Sequence, residues 1–224
     1  MERMSIGKLW FAAPVFLLAA GSIAGAETVV RSASLQEVRL FFREQDKTVV
    51  TFVGYSGAGY EDESAMLRAA GTVLEGYDPD STLVNIGVTP DGIGRVYELA
   101  KEMGFMTTGI VSVQAQKYQA GVSEALDFGF YIEDETWGGF VDDTGLLSPT
   151  SRAMVENSDL IVAIGGGEVS RDEVTFARQH GKEVLYFPAE MNHEKAIAKA
   201  RKKGLPEPID FLGPVHQLFA GSGE

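Results

Sequence analysis

The chain has 224 residues, 45% of them hydrophobic and 23% charged, and these proportions suit one sizeable globular domain. Its net charge of -13 makes nucleic acids and anionic membrane surfaces poor partners, because phosphate backbones are held by clustered Lys and Arg. There is no cysteine, which excludes disulfides, thiolate catalysis and cysteine-ligated zinc.

In chain order, residues 1–26 read as a targeting segment. Arg3 and Lys8 form a positive start, residues 9–20 are apolar, and Ala24, Gly25 and Ala26 make a small-residue cleavage site. The expectation is export to the periplasm or medium with cleavage after Ala26; the alternative is an N-terminal membrane anchor. Residues 27–47 read as a polar connector with a short amphipathic piece at 35–42. A Rossmann-like domain is expected over 48–213, and residues 214–224 read as a C-terminal tail.

The periodic pattern starts at Thr48. A strand over 48–54 runs into the loop Gly54, Tyr55, Ser56, Gly57, Ala58, Gly59, then a helix over about 61–75. A second strand (83–88) leads into Thr89, Pro90, Asp91, Gly92, Ile93, Gly94 and another helix ending near Gly104. Strands follow at 106–113 and 128–132, and Ser148-Pro149 opens a short helix with Ser as N-cap. The centre of the pattern is the apolar, β-branched run 160–164 followed by Gly165, Gly166 and Gly167. The spacing after it predicts a helix capped by Ser170, with Glu173 completing a capping box. A sixth strand at 183–187 and a basic-faced helix over 192–203 end the pattern.

Strands alternating with helices predict a doubly wound α/β fold: a mainly parallel sheet of about six strands with helices on both faces. In such a sheet ligands sit beyond the carboxyl ends of the strands. Three small-residue loops fall there, and a glycine turn at a helix start offers backbone N–H groups to an anion. The residues expected to bind a nucleotide are therefore Gly54, Tyr55, Ser56, Gly57, Thr89, Gly92, Gly94, Gly165, Gly166, Gly167, Glu168 and Ser170. Arg171 is expected to pair with a neighbouring acid, and His193 to start a helix. Glu133, Asp134, Glu135, Asp142 and Asp143 surround Trp137 in what reads as an acidic, solvated loop. Neither the His spacing nor the acidic loop gives a metal site. Trp137 could stack on a bound base as a lid.

These loops resemble the lysine-decarboxylase-like, LONELY GUY-type Rossmann proteins and their wider nucleotide-sensing superfamily. The signature S-D-x-x-I-x-L-P-G-G-x-G-T-x-x-E lies without a gap on 158–173. Ser158, Asp159, Gly166, Gly167 and Glu173 match, Ser170 stands for Thr, and Gly165 and Val169 depart from Pro and Gly. The resemblance implies a nucleotide-type small-molecule ligand, with no further cofactor required. It leaves homo-oligomerisation open. Enzymes of that family cleave the N-glycosidic bond of nucleoside 5′-monophosphates with an Arg and the signature Glu. Glu173 fills the Glu position, but the Arg position falls on Thr150. Arg152, two residues later, would point about 200° around the helix from it. The expectation is thus a non-catalytic binder, with a phosphoribohydrolase using Glu173 and Arg152 as the alternative.

Overall fold

The computed structural model describes residues 29–220; the targeting segment read over 1–26 lies outside them. Seven strands form one sheet in which each pairing is parallel: β1 (Val29–Ser32), β2 (Thr48–Gly54), β3 (Thr82–Ile86), β4 (Met106–Ser112), β5 (Phe128–Ile132), β6 (Leu160–Ile164) and β7 (Glu183–Phe187). Their order is β1-β5-β4-β3-β2-β6-β7. From β2 the chain builds one way through β3, β4 and β5, and from β6 the other way to β7. The order reverses between β2 and β6.

The central run behaves as its composition requires. All five residues of β6 are buried, and side chains alternate between the two faces. Leu160, Val162 and Ile164 join a core with α2 (Glu63–Leu74) and α3 (Val96–Glu102). Ile161 and Ala163 meet α6 (Glu168–Gln179) and Val215 of α8 (Gly213–Ala220) on the opposite face, while α1 (Leu35–Gln45) and α5 (Pro149–Glu156) pack on the β3–β5 part of that face. A four-residue helix α4 (Gln114–Lys117) follows β4, and α7 (His193–Lys202) follows β7.

Three readings need correction. Residues 29–45 are not a connector: β1 pairs with β5 at the sheet edge, and Ser34 caps α1 in a full capping box with Glu37. Four residues give too short a period to stand out in sequence. Residues 213–220 are a helix rather than a tail. Val215 is fully buried, Phe219 stacks on Tyr186 at 4.4 Å, and the Tyr186 hydroxyl meets His216 Nδ1 at 3.0 Å. Finally, α6 starts two residues before Ser170, with Gly167 as N-cap and no side-chain cap. Ser170 and Glu173 are inside the helix, so they form no capping box.

The signature Ser158 and Asp159 have structural work at the entry to β6. Ser158 Oγ lies 2.6 Å from Thr51 Oγ1 and 2.7 Å from the Met154 carbonyl oxygen, and Asp159 Oδ2 accepts the Val49 N–H at 2.8 Å. These bonds fix α5, β6 and β2 in register.

Candidate functional site

The reversal point between β2 and β6 is closed by a side chain. Tyr60 brings its hydroxyl between the two strand ends, where it accepts the Tyr55 N–H at 3.1 Å and donates to the Ile164 carbonyl at 2.8 Å. A Cβ on Gly54 would sit 2.1 Å from that oxygen, so this glycine is required by the close approach of Tyr60. Burial holds the Tyr60 hydroxyl protonated, far above the usual phenol range.

The open space lies beside this plug, over the carboxyl ends of β2, β3 and β4. It is a cavity of about 530 Å³, within the size range of small-molecule sites. Phe52, Val53, Ile86, Val88, Ile110 and Val111 supply apolar walls, and Gly87, Ala115, Ala120 and Gly121 leave room by being small. Ser56, Gly57, Thr89 and Asp91 line it from the first two loops, with Thr150, Val169, Ser170 and Glu173 from α5 and α6. Trp137 also lines it, half exposed and stacked on exposed Tyr118 at 5.8 Å. Lys117 sits over the Tyr118 ring, outside the lining.

Glu173 is the most perturbed group in this space. It is buried, and Ser151 Oγ donates to its Oε1 at 2.6 Å. Ser151 in turn accepts the Gly139 N–H at 2.8 Å, which directs its proton to Glu173. Burial raises the Glu173 carboxyl from 4.5 to about 7; the Ser151 bond opposes this and the neighbouring Asp172 charge adds to it. Burial thus carries the protonated form of Glu173 well above the pH range in which an ordinary carboxyl ionises. Among the described residues its Oε2 makes no hydrogen bond.

The sequence-selected residues divide. Gly54, Ser56, Gly57, Thr89, Ser170 and Glu173 meet at the cavity. Tyr55 does not: it is buried, and its hydroxyl donates to the Leu212 carbonyl at 2.6 Å. Gly92 and Gly94 lie buried in a single 3-10 turn, where a Cβ would reach the Tyr55 and Thr89 carbonyl oxygens at 2.2 and 1.9 Å. Their role is loop-on-loop packing.

The glycine turn is also enclosed. Gly165 donates its N–H to Phe187 at 2.9 Å, and Gly166 accepts from Val215 at 3.3 Å. Both are buried, whereas Gly167 is half-buried and Glu168 exposed and paired with Arg171. Arg171 also binds Asp172 Oδ1 at 2.8 Å. Arg152 is on the outside of α5, paired with Glu156 at 2.7 Å, away from the cavity.

Elsewhere, His193 starts α7 and contacts Glu190 at 2.9 Å. Asp134 corrects the reading of a solvated acidic loop. It is buried, and it accepts N–H groups from Thr136 at 2.8 Å and Thr150 at 3.0 Å, tying the Trp137 loop to α5. The Thr150 hydroxyl, buried beside that carboxylate, has no aligned hydrogen-bond partner among the described residues. Ser151 went unnoticed in the sequence. Its only signal is position, one turn after the Ser148 N-cap and so on the inward face of α5.

This arrangement defines a doubly wound, Rossmann-like α/β protein with an open cavity at the carboxyl edge of its sheet. No family model and no curated protein matches the chain. Solved structures similar to it include the molybdenum cofactor carrier protein of Chlamydomonas reinhardtii, at 20% identity and TM-score 0.46 over 62% of this chain and 76% of that one. A second structure of that carrier is matched at 20% identity and TM-score 0.44 over 74% and 91% of the two chains. The structural-genomics target TM1055 is matched at 23% identity and TM-score 0.44 over 61% and 72%. The likeness is one of fold.

Proposed function

We propose that this domain binds a nucleotide-type small molecule in the cavity over β2, β3 and β4 and does not turn it over. The observation that carries this reading is the pairing of an apolar, ring-sized cavity with Trp137 at its lip and the buried carboxyl of Glu173 at its wall. Stacking of a base on an aromatic side chain contributes about 1–3 kcal/mol and tolerates many heterocycles. Glu173 in its protonated form both donates and accepts, and so suits the edge of such a ring.

The hydrolytic alternative lacks its second residue. Thr150 stands where the resemblance places an Arg, and Arg152 is committed to Glu156 on the outer face. Without a cation beside the scissile bond, Glu173 has nothing to stabilise a departing charged group. We also propose, from the pattern of residues 1–26 alone, that the domain acts after export.

The test is a thermal-shift panel of nucleosides, AMP, ADP-ribose, NAD and cyclic nucleotides, with chromatography for free base on the same samples. Stabilisation without base release is the expected result. Base accumulating in proportion to protein would overturn the binding-only reading, and a flat panel would overturn the reading altogether.

A further inference from the structure

The turn that a phosphate would be expected to occupy is already occupied by the chain itself. The segment from Leu212 to Val215 lies over Gly165 and Gly166. Leu212 takes the Tyr55 hydroxyl at 2.6 Å, and the Val215 N–H bonds to the Gly166 carbonyl at 3.3 Å. The fit is close at Gly165, Gly166 and Gly213, while Gly167 faces open space. A Cβ on Gly166 would come 2.7 Å from Val215 Cγ2, one on Gly165 would come 2.6 Å from the Tyr55 ring, and one on Gly213 would come 2.4 Å from the Tyr55 hydroxyl. The Gly165 N–H is spent on the Phe187 carbonyl. A phosphate seated on Gly165 and Gly166 would have to displace α8, whose Val215 is fully buried.

The cavity offers no substitute for the lost anion site. Among the described residues its lining includes two carboxyl groups, Asp91 and Glu173, and no Arg, Lys or His. The first turn of α6, which approaches the cavity through Val169 and Ser170, already carries Glu168 against its positive end. The whole chain adds a net charge of -13, which repels a dianion at long range. Arg152 of α5 and Arg171 near the start of α6 are engaged, the first with Glu156 and the second with Glu168 and Asp172.

We propose that the cavity selects the phosphate-free form of its ligand, a nucleoside rather than a nucleoside phosphate, with the heterocycle under Trp137 and the sugar toward Ser56 and Thr89. This rests on the nucleotide-type reading above and narrows it. The apolar walls take the ring, the hydroxyls of Ser56 and Thr89 match a ribose, and the acidic lining turns from a defect into the means of rejecting phosphate.

The experiment is calorimetric titration of the full-length protein with the four common ribonucleosides and, separately, their 5′-monophosphates. At least one nucleoside should bind tenfold or more tightly than its own monophosphate, a difference of about 1.4 kcal/mol. A monophosphate that binds as tightly as its nucleoside, or more tightly, overturns the inference and leaves the nucleotide-type reading standing. If no member of either set binds, that reading itself falls. Gly87→Phe places the site: a Cβ at Gly87 meets only the Ile110 carbonyl at 3.9 Å, so the backbone tolerates the change while the ring fills the cavity. Nucleoside binding should vanish in this variant with its circular dichroism unchanged. Retained binding would overturn the inference. Should that variant misfold, Ser56→Ala serves instead: the sugar hydroxyl contact goes and nucleoside affinity should drop tenfold or more, while an unchanged affinity overturns the inference.

Discussion

Replacing Glu173 with Gln should flatten part of the pH dependence of stability. In the folded protein the carboxyl titrates near 7, raised by burial from its ordinary 4.5. A folded-state value above the unfolded one means that the native protein binds more protons between the two. The associated stability is therefore fully present below about pH 4.5 and is lost as pH rises through 7. The rise from 4.5 to about 7 corresponds to about 3 kcal/mol, to be read as an order of magnitude. Gln keeps the shape and can accept the Ser151 hydroxyl as the protonated acid does, but it never ionises. Urea denaturation of both proteins at pH 4.5 and pH 8 gives a double difference in which the remaining carboxylates cancel. The variant should match the wild type at pH 4.5 and exceed it by roughly 3 kcal/mol at pH 8. An equal pH dependence in the two proteins would refute the placement of Glu173 as a buried acid whose carboxyl is raised by burial.

Tyr60→Phe removes the hydroxyl that joins Tyr55 to Ile164, leaving two buried backbone groups unpaired, and should cost about 1–3 kcal/mol by urea titration with the cavity unchanged. A cost below 0.5 kcal/mol, a rough threshold, would show that water replaces it. Ile161→Ala, at a position wholly enclosed between α5, α6 and α8, should lose about 2–5 kcal/mol, and a loss under ~1 would mean that β6 is less enclosed than described. Intact-mass analysis of exported protein should find Glu27 at the N-terminus; Met1 on membrane-bound material would favour an anchor instead.

The architecture was readable wherever burial imposes a period. Phe128–Ile132, Leu160–Ile164 and Glu183–Phe187 appear at the residues expected from their apolar runs, and Ser148 caps α5 as the Ser-Pro pair requires. The edge strand β1 and the terminal helix α8 were not readable, because β1 is four residues long and only one face of α8 is buried. The loops misled for a common reason. Glycine signals close approach of backbone but does not say to what. At Gly57 the approach is to an open cavity; at Gly54, Gly92, Gly94 and Gly166 it is to Tyr60, Tyr55, Thr89 and Val215 of the same chain. Glu173 was misread similarly. Its spacing from Ser170 fits a capping box, but a helix start two residues earlier turns the same side chain inward.

The central claim is that a heterocycle enters beneath Trp137, and Trp137 itself can report it. The other of the two tryptophans, Trp10, leaves with the segment expected to be cleaved after Ala26, and Trp10→Phe removes it from unprocessed protein, so in either form Trp137 is the single indole. Titration with the tightest-binding nucleoside should change its emission saturably, with a midpoint equal to the calorimetric one, and Gly87→Phe should abolish the change. Calorimetric binding that leaves Trp137 emission untouched and survives Gly87→Phe would contradict the account.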